Sequence, residues 1–205
     1  VLPDLFARSL TGYCPARYQD MDQVVRKLEE IEKYADTVVP FIISSQVNRP
    51  PLLTGREEEL EALDRWFSRD DDVCLFLTGM GGIGKSALVR ECIAEHRRQL
   101  DGVLYLYYNG SIQKMIADDS QLRVNIIEKR AEESTADYFH RKLRMLRDLA
   151  AEKRILLVID NFDGELDEDF SSVLQTGWKV IVVSRLEIPE TAYTVLPLKA
   201  ISDRA

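Results

Sequence analysis

Gly79-Met80-Gly81-Gly82-Ile83-Gly84-Lys85-Ser86 lies between an apolar run, Val73-Cys74-Leu75-Phe76-Leu77-Thr78, and a helical pattern, Ala87-Leu88-Val89-Arg90-Glu91. A G-x-x-x-x-G-K-[ST] stretch in a strand–loop–helix context is a phosphate-binding loop. Its glycines lack a Cβ, so the backbone can bend around phosphate oxygens and aim N–H groups inward. The helix N-terminus adds unpaired donors and a partial positive charge. Lys85 would reach the β- and γ-phosphates, and Ser86 would ligate Mg²⁺. The expected phosphate-contacting set is Gly79, Met80, Gly81, Gly82, Ile83, Gly84, Lys85, Ser86 and Ala87. A glycine-rich turn with a chance Lys-Ser would not need order, spacing and flanks to agree.

Beyond this loop the chain alternates apolar runs with helical patterns. Val103–Tyr108, Ile155–Ile159, Lys179–Val183 and Tyr193–Leu196 read as strands. Helices are expected after Thr54, with Leu60, Leu63, Trp66 and Phe67 on one face, to about Leu100 after the loop, from about Ser120 to Arg130, and from about Ser134 to Glu152, with residues 109–119 less regular. Thr54 lies where the first of these would be capped, and Ser134-Thr135-Ala136-Asp137 resembles a capping sequence. Continuous apolar strands alternating with helices imply a parallel sheet covered on both faces.

In such sheets ligands bind at the C-terminal ends of the strands. Asp160 ends one strand and is placed to hold Mg²⁺ through its water shell, opposite Ser86; capping the next turn is its ordinary alternative. Ser184-Arg185 ends another. Sheet logic alone suits Arg185 equally to a γ-phosphate contact and to a solvent-facing cation. Gly55-Arg56-Glu57 by itself reads as a helix start. Arg141, Arg144 and Arg147, with Lys142 beside them, form a basic stripe at helical spacing, by default a solvated face. Trp66 and Trp178 are expected to pack, and His96 and His140 have no catalytic or metal-binding pattern.

The 205 residues carry a formal net charge of −8, which disfavours bulk binding to nucleic acid or an anionic membrane. No apolar run approaches the roughly 20 residues needed to cross a bilayer. Three cysteines without metal-ligand spacing, Cys14, Cys74 and Cys92, suit a reducing cytoplasm, and Cys74 reads as a core residue. Residues 20–33 read as an amphipathic helix with Val24, Val25, Leu28 and Ile31 on one face. Residues 38–43 follow as an extended connector, and the polar, proline-bearing stretch 44–51 as a linker. The expected division is therefore 1–48, an N-terminal helical segment or the end of an upstream effector domain, and 49–205, a nucleotide-binding domain. The ends, Val1 without a Met and Ile201–Ala205, read as those of a piece of a longer protein.

Four motifs in order resemble the STAND class of signal-transduction P-loop ATPases, in its NB-ARC-like and bacterial transcription-regulator-like branches. Leu52-Leu53-Thr54-Gly55-Arg56-Glu57 resembles the motif that opens the domain, and Gly79–Ser86 the class's phosphate loop. Ile155–Asp163, with its Asp160-Asn161-Phe162-Asp163, resembles the Walker B strand, and Val180–Arg185 the sensor strand. The resemblance covers roughly residues 50–200.

It implies a P-loop NTPase three-layer α/β sandwich, whose five-stranded parallel sheet has the sensor strand between the phosphate-loop and Walker B strands. It implies ATP or ADP with Mg²⁺, Arg56 as a nucleotide contact, and Arg185 as the reader of the γ-phosphate. Members act as switches: ADP holds a closed monomer, and ATP with a signal allows self-association. Further helical, winged-helix and sensor segments are expected beyond Ala205, and an effector or adaptor, for example TIR-like, before residue 49.

One departure qualifies the chemistry. Asn161 stands where a second Asp is common and cannot act as a base, which leaves Asp163 to orient water. ATP hydrolysis through Lys85, Asp160, Asp163 and Arg185 is therefore expected to be slow, with Ser86 and Asp160 on the metal. The competing readings are an ADP-retaining assembly module without turnover and an AAA+-like ATPase acting on nucleic acid. A P-loop kinase for small molecules does not suit the Gly-Arg-Glu and Ser-Arg motifs.

Overall fold

The apolar run before the loop forms strand β1, Cys74–Thr78, and all five residues are buried. The computed structural model describes residues 25–26, 50, 53–118, 129–189 and 193–200. The chain divides into two compact units, Val1–Pro40 and Phe41–Ala205. In the first, only Val25 and Arg26 are described; both are helical and exposed. The rest of the helix expected over 20–33, and the connector and linker over 38–49, lie outside the described residues.

In the second unit the other strands are β2 (Gly102–Tyr107), β3 (Ile155–Phe162), β4 (Lys179–Ser184) and β5 (Thr194–Pro197). They form one sheet in the order β2-β3-β4-β1-β5, with every neighbouring pair parallel. Strand β4, which the resemblance marks as the sensor strand, thus lies between β1 and β3. Runs such as Leu156–Ile159 and Val180–Val183 are buried on both faces, as a sheet covered by helices requires.

The helices are α1 (Glu57–Phe67), α2 (Lys85–His96), α3 (Ile112–Asp118), α4 (Thr135–Leu149) and α5 (Glu168–Leu174). One core layer joins Leu63 and Trp66 of α1 and Leu88, Val89 and Ile93 of α2 to Leu75, Val158 and Val183 of the sheet. A separate aromatic group holds α5: Phe170 lies 5.8 Å from Phe76, 5.7 Å from Phe162 and 6.1 Å from Tyr193 between ring centroids. The result is the α/β P-loop NTPase architecture that the alternation of runs implied.

Local differences have physical causes. Residues 109–119, expected to be irregular, include α3, whose Ile112, Met115 and Ile116 are buried. Seven residues give too little periodicity to read, and tertiary contacts hold the turn. Lys142, buried on α4, donates to the carbonyls of Ile116 at 2.6 Å and Ala117 at 3.0 Å. The basic stripe on α4 is therefore not one solvated face. Lys142 points inward, Arg141 makes two 2.7 Å bonds to Glu133, and Arg144 and Arg147 are exposed.

The helix expected over 120–130 lies largely outside the described residues, and Lys129 and Arg130 at its end are not helical. Helix α1 begins at Glu57 with Arg56, not Thr54, at its N-cap and no capping side chain. Helix α4 starts as expected, with Ser134 Oγ accepting from the Asp137 N–H at 3.1 Å. Cys74, Cys92, Trp66 and Trp178 are buried, and burial pushes both thiols up to about 12. Among the described residues no helix is long and apolar enough to cross a membrane.

Candidate functional site

Strand β1 ends in a loop that must turn sharply under the chain leaving β5. The Leu198 N–H donates to the Thr78 carbonyl at 2.8 Å. Gly79 follows with φ +141°, and a Cβ there would stand 2.6 Å from the Leu198 carbonyl oxygen, so the close approach requires glycine. Gly84 forms the N-cap of α2 in a left-handed conformation at φ 100°. Helix α2 has no capping side chain and no acidic residue in its first turn, whereas α4 and α5 are capped by Ser134 and Asp167. Its first N–H groups are left for an external acceptor, the arrangement that binds anions.

Loop, β3 and β4 enclose a cavity of about 270 Å³. Gly81, Gly82, Gly84, Lys85, Ser86 and Ala87 line one side, Asp160 and Asn161 another, and Val183, Ser184 and Arg185 the third. Lys85 is buried, with Nζ donating to the carbonyls of Gly79 at 2.7 Å and Met80 at 2.8 Å. Burial lowers its pKa, the nearby Arg185 charge lowers it further, and Asp160 opposes both. Arg185 is exposed and its guanidinium lies over Gly81, whose added Cβ would be 3.4 Å from Cζ.

Asp160, buried at the end of β3, collects three donors. Oδ1 accepts from Ser86 Oγ at 3.2 Å and from the Asn161 N–H at 2.8 Å. Oδ2 accepts from Tyr105 Oη at 2.5 Å. The β3–β4 register shifts between Ile159 and Phe162, and Asn161 has φ 59°, a left-handed conformation that Asn tolerates better than most side chains. Ser184 Oγ secures this end of the sheet by donating to the Phe162 carbonyl at 2.7 Å and accepting from the Leu186 N–H at 2.9 Å.

The other expected site residues lie apart from the cavity. Met80 is 76% exposed at the loop tip, and Ile83 packs partly buried against the core. Arg56 is buried behind the loop, with Nη1 donating to Glu59 at 2.8 Å and the Lys199 carbonyl at 2.9 Å, and Nη2 to the Ile83 carbonyl at 3.0 Å. Its donors hold backbone where a nucleotide contact was expected. Asp163 is exposed beyond β3 and does not line the cavity; Asn161 does. Tyr105 was missed, since a tyrosine within an apolar run carries no sign that its hydroxyl reaches a carboxylate on the neighbouring strand.

A family model described as an AAA ATPase domain matches residues 52–176. Among solved structures, Cdc6p from Pyrobaculum aerophilum aligns with 17% identity and a TM-score of 0.52, over 77% of this chain and 49% of that one. This chain thus spans about half the length of that protein. Drosophila ORC bound to GC-rich DNA and Cdc6 aligns at 14% identity and TM-score 0.45, over 74% of this chain and 64% of that one. The Pif1 helicase from Candida albicans aligns at 17% identity and TM-score 0.42, over 75% and 41%. No curated protein matches the chain.

Proposed function

The chain belongs to the AAA ATPase domain family, and from that premise we propose that it is the nucleotide-binding part of a STAND-type signalling switch, one that holds ATP or ADP with Mg²⁺ and governs self-association of a larger cytoplasmic protein. The observation that carries this reading is the meeting of Lys85 and Arg185 across one cavity in which Asp160 is the sole lining carboxylate among the described residues. The nearby Arg185 charge disfavours the Lys85 ammonium, and a polyanion between them would offset that repulsion. The γ-phosphate adds charge where both can reach it, which supplies the differential affinity a two-state switch needs.

The residues present fit the ligand. The open N-terminus of α2 and the backbone of Gly82 and Gly84, where an added Cβ would meet nothing within 4 Å, leave room for phosphate oxygens. Ser86 and Asp160 offer a hydroxyl and a carboxylate oxygen, a hard donor set suited to Mg²⁺. No cluster of three or more His, Cys, Asp or Glu able to hold a metal occurs among the described residues. Phosphate and water oxygens would therefore complete the shell, and the ion would neutralise charge on the β- and γ-phosphates.

Asn161 beside Asp160 can orient a water molecule but cannot remove its proton. Asp163, expected to orient water, does not line the cavity. Slow turnover with long retention of nucleotide is therefore the proposed behaviour. Light scattering on the full-length protein tests the switch: larger particles with ATP than with ADP support it, and equal masses in both contradict it. ATPase activity stimulated by DNA would instead favour action on nucleic acid.

A further inference from the structure

We propose that Tyr105 is a positioning residue for the metal-side carboxylate: its buried hydroxyl holds Oδ2 of Asp160, so that Oδ1 stays turned toward Ser86 and the cavity. This rests on the reading of Ser86 and Asp160 as the magnesium side of the site.

The geometry follows from strand register. Tyr105 pairs with Val158 and Tyr107 with Asp160 across β2 and β3. Side chains two apart share a face, so Tyr105 and Asp160 lie on one face, offset by about 6.5 Å along the strands. A tyrosine spans that offset with its ring and hydroxyl, whereas serine or threonine would stop short. Two groups pack on the ring, with the Arg90 guanidinium 5.6 Å from its centroid and the Tyr107 ring 5.7 Å away. Arg90 is itself tied to Tyr107 Oη at 3.3 Å.

The bond is of the short, charge-assisted O–H···O⁻ kind. A phenol is protonated at neutral pH, so Tyr105 is the donor of this bond and the carboxylate oxygen its acceptor. Both donors on Oδ1 come from groups near the cavity, Ser86 and the Asn161 backbone. Tyr105 is the bond to Asp160 that comes from the sheet interior. Without it a buried carboxylate oxygen loses its donor, and the carboxylate's broad terminal torsion is freed.

Tyr105→Phe removes one oxygen and keeps the ring. ATP affinity is to be measured by calorimetry in EDTA and across a Mg²⁺ titration, for wild type and variant. The proposal expects the EDTA affinity within twofold of wild type and the Mg²⁺ concentration for half-maximal tightening raised at least fivefold. In an Asp160→Asn background the same change should have no further effect on the Mg²⁺ midpoint.

An unmoved midpoint, in a protein whose wild type responds to Mg²⁺, overturns this proposal alone. A wild type that binds ATP without regard to Mg²⁺ overturns the metal-site reading and this proposal with it. Equal loss of affinity with and without Mg²⁺ makes Tyr105 a packing residue and overturns the proposal too. Fluorotyrosine placed at position 105 gives a readout without loss of the hydroxyl: its ¹⁹F resonance should shift when Mg²⁺ joins the ATP complex, and a resonance indifferent to Mg²⁺ counts against the assignment.

Discussion

The guanidinium of Arg56 donates to the carbonyl of Ile83 at 3.0 Å and, through its other terminal nitrogen, to the carbonyl of Lys199 at 2.9 Å. One side chain before α1 therefore joins the loop between β1 and α2 to the segment leaving β5. Glu59 balances the charge at 2.8 Å. Arg56→Ala leaves these acceptors without their donor and is expected to cost about 2–3 kcal/mol, the scale of a buried hydrogen bond to a charged group. Arg56→Lys should recover little, because an ammonium lacks the fork that reaches two carbonyls at once. Urea unfolding of the three proteins checks this, and a lysine variant as stable as wild type would rule out the clamp.

Gly79 and Gly82 both have positive φ, but only Gly79 is closed in. Its added Cβ meets the Leu198 carbonyl oxygen at 2.6 Å, whereas nothing lies within 4 Å of one at Gly82. Gly82→Ala should cost about 1–2 kcal/mol from backbone conformation alone. Gly79→Ala should cost more, because the loop or the β5 exit must also move. Thermal unfolding of the two variants orders them, and equal losses would show that the Leu198 contact does not constrain the loop.

Glu133 is held by Arg141 through two 2.7 Å bonds, and that hydrogen bonding lowers its pKa from an ordinary 4.5 to about 2. A carboxylate with a depressed folded-state value contributes stability that is fully present above its unfolded value and is lost as pH falls through the folded one. The contribution should be intact at pH 7 and fade between about 4.5 and about 2. Arg141→Gln should therefore destabilise at pH 7 and converge with wild type at the acid end. Urea midpoints against pH test this; a constant difference at every pH would contradict it.

The layers of the fold were legible because β1, β3 and β4 are apolar runs long enough to declare themselves. Asp160 and Arg185 were found by standing just past such runs. Helix α3 was not legible, since its seven residues depend on Lys142, which lies in a distant part of the chain. Asp163 and Asn161 could not be told apart by spacing: the bulge and the left-handed turn at Asn161 bring that residue to the cavity while Asp163 is left outside. Arg56 was recognised as a marked position, but which acceptors it meets is decided by β5, far along the chain.

The central claim is that Lys85 and Arg185 together read the γ-phosphate. Its most direct test is the ratio of ADP to ATP dissociation constants in Mg²⁺ for wild type, Arg185→Ala and Lys85→Ala, with ATP binding read in a time short against its hydrolysis. Loss of a charge-assisted contact to phosphate should remove about 1.5–3 kcal/mol of ATP binding, roughly 10- to 100-fold. Arg185→Ala is predicted to weaken ATP by that much and ADP by less than threefold, and Lys85→Ala to weaken both. An Arg185→Ala protein that keeps the wild-type ratio, or a Lys85→Ala protein that binds both nucleotides as tightly as wild type, would contradict the account.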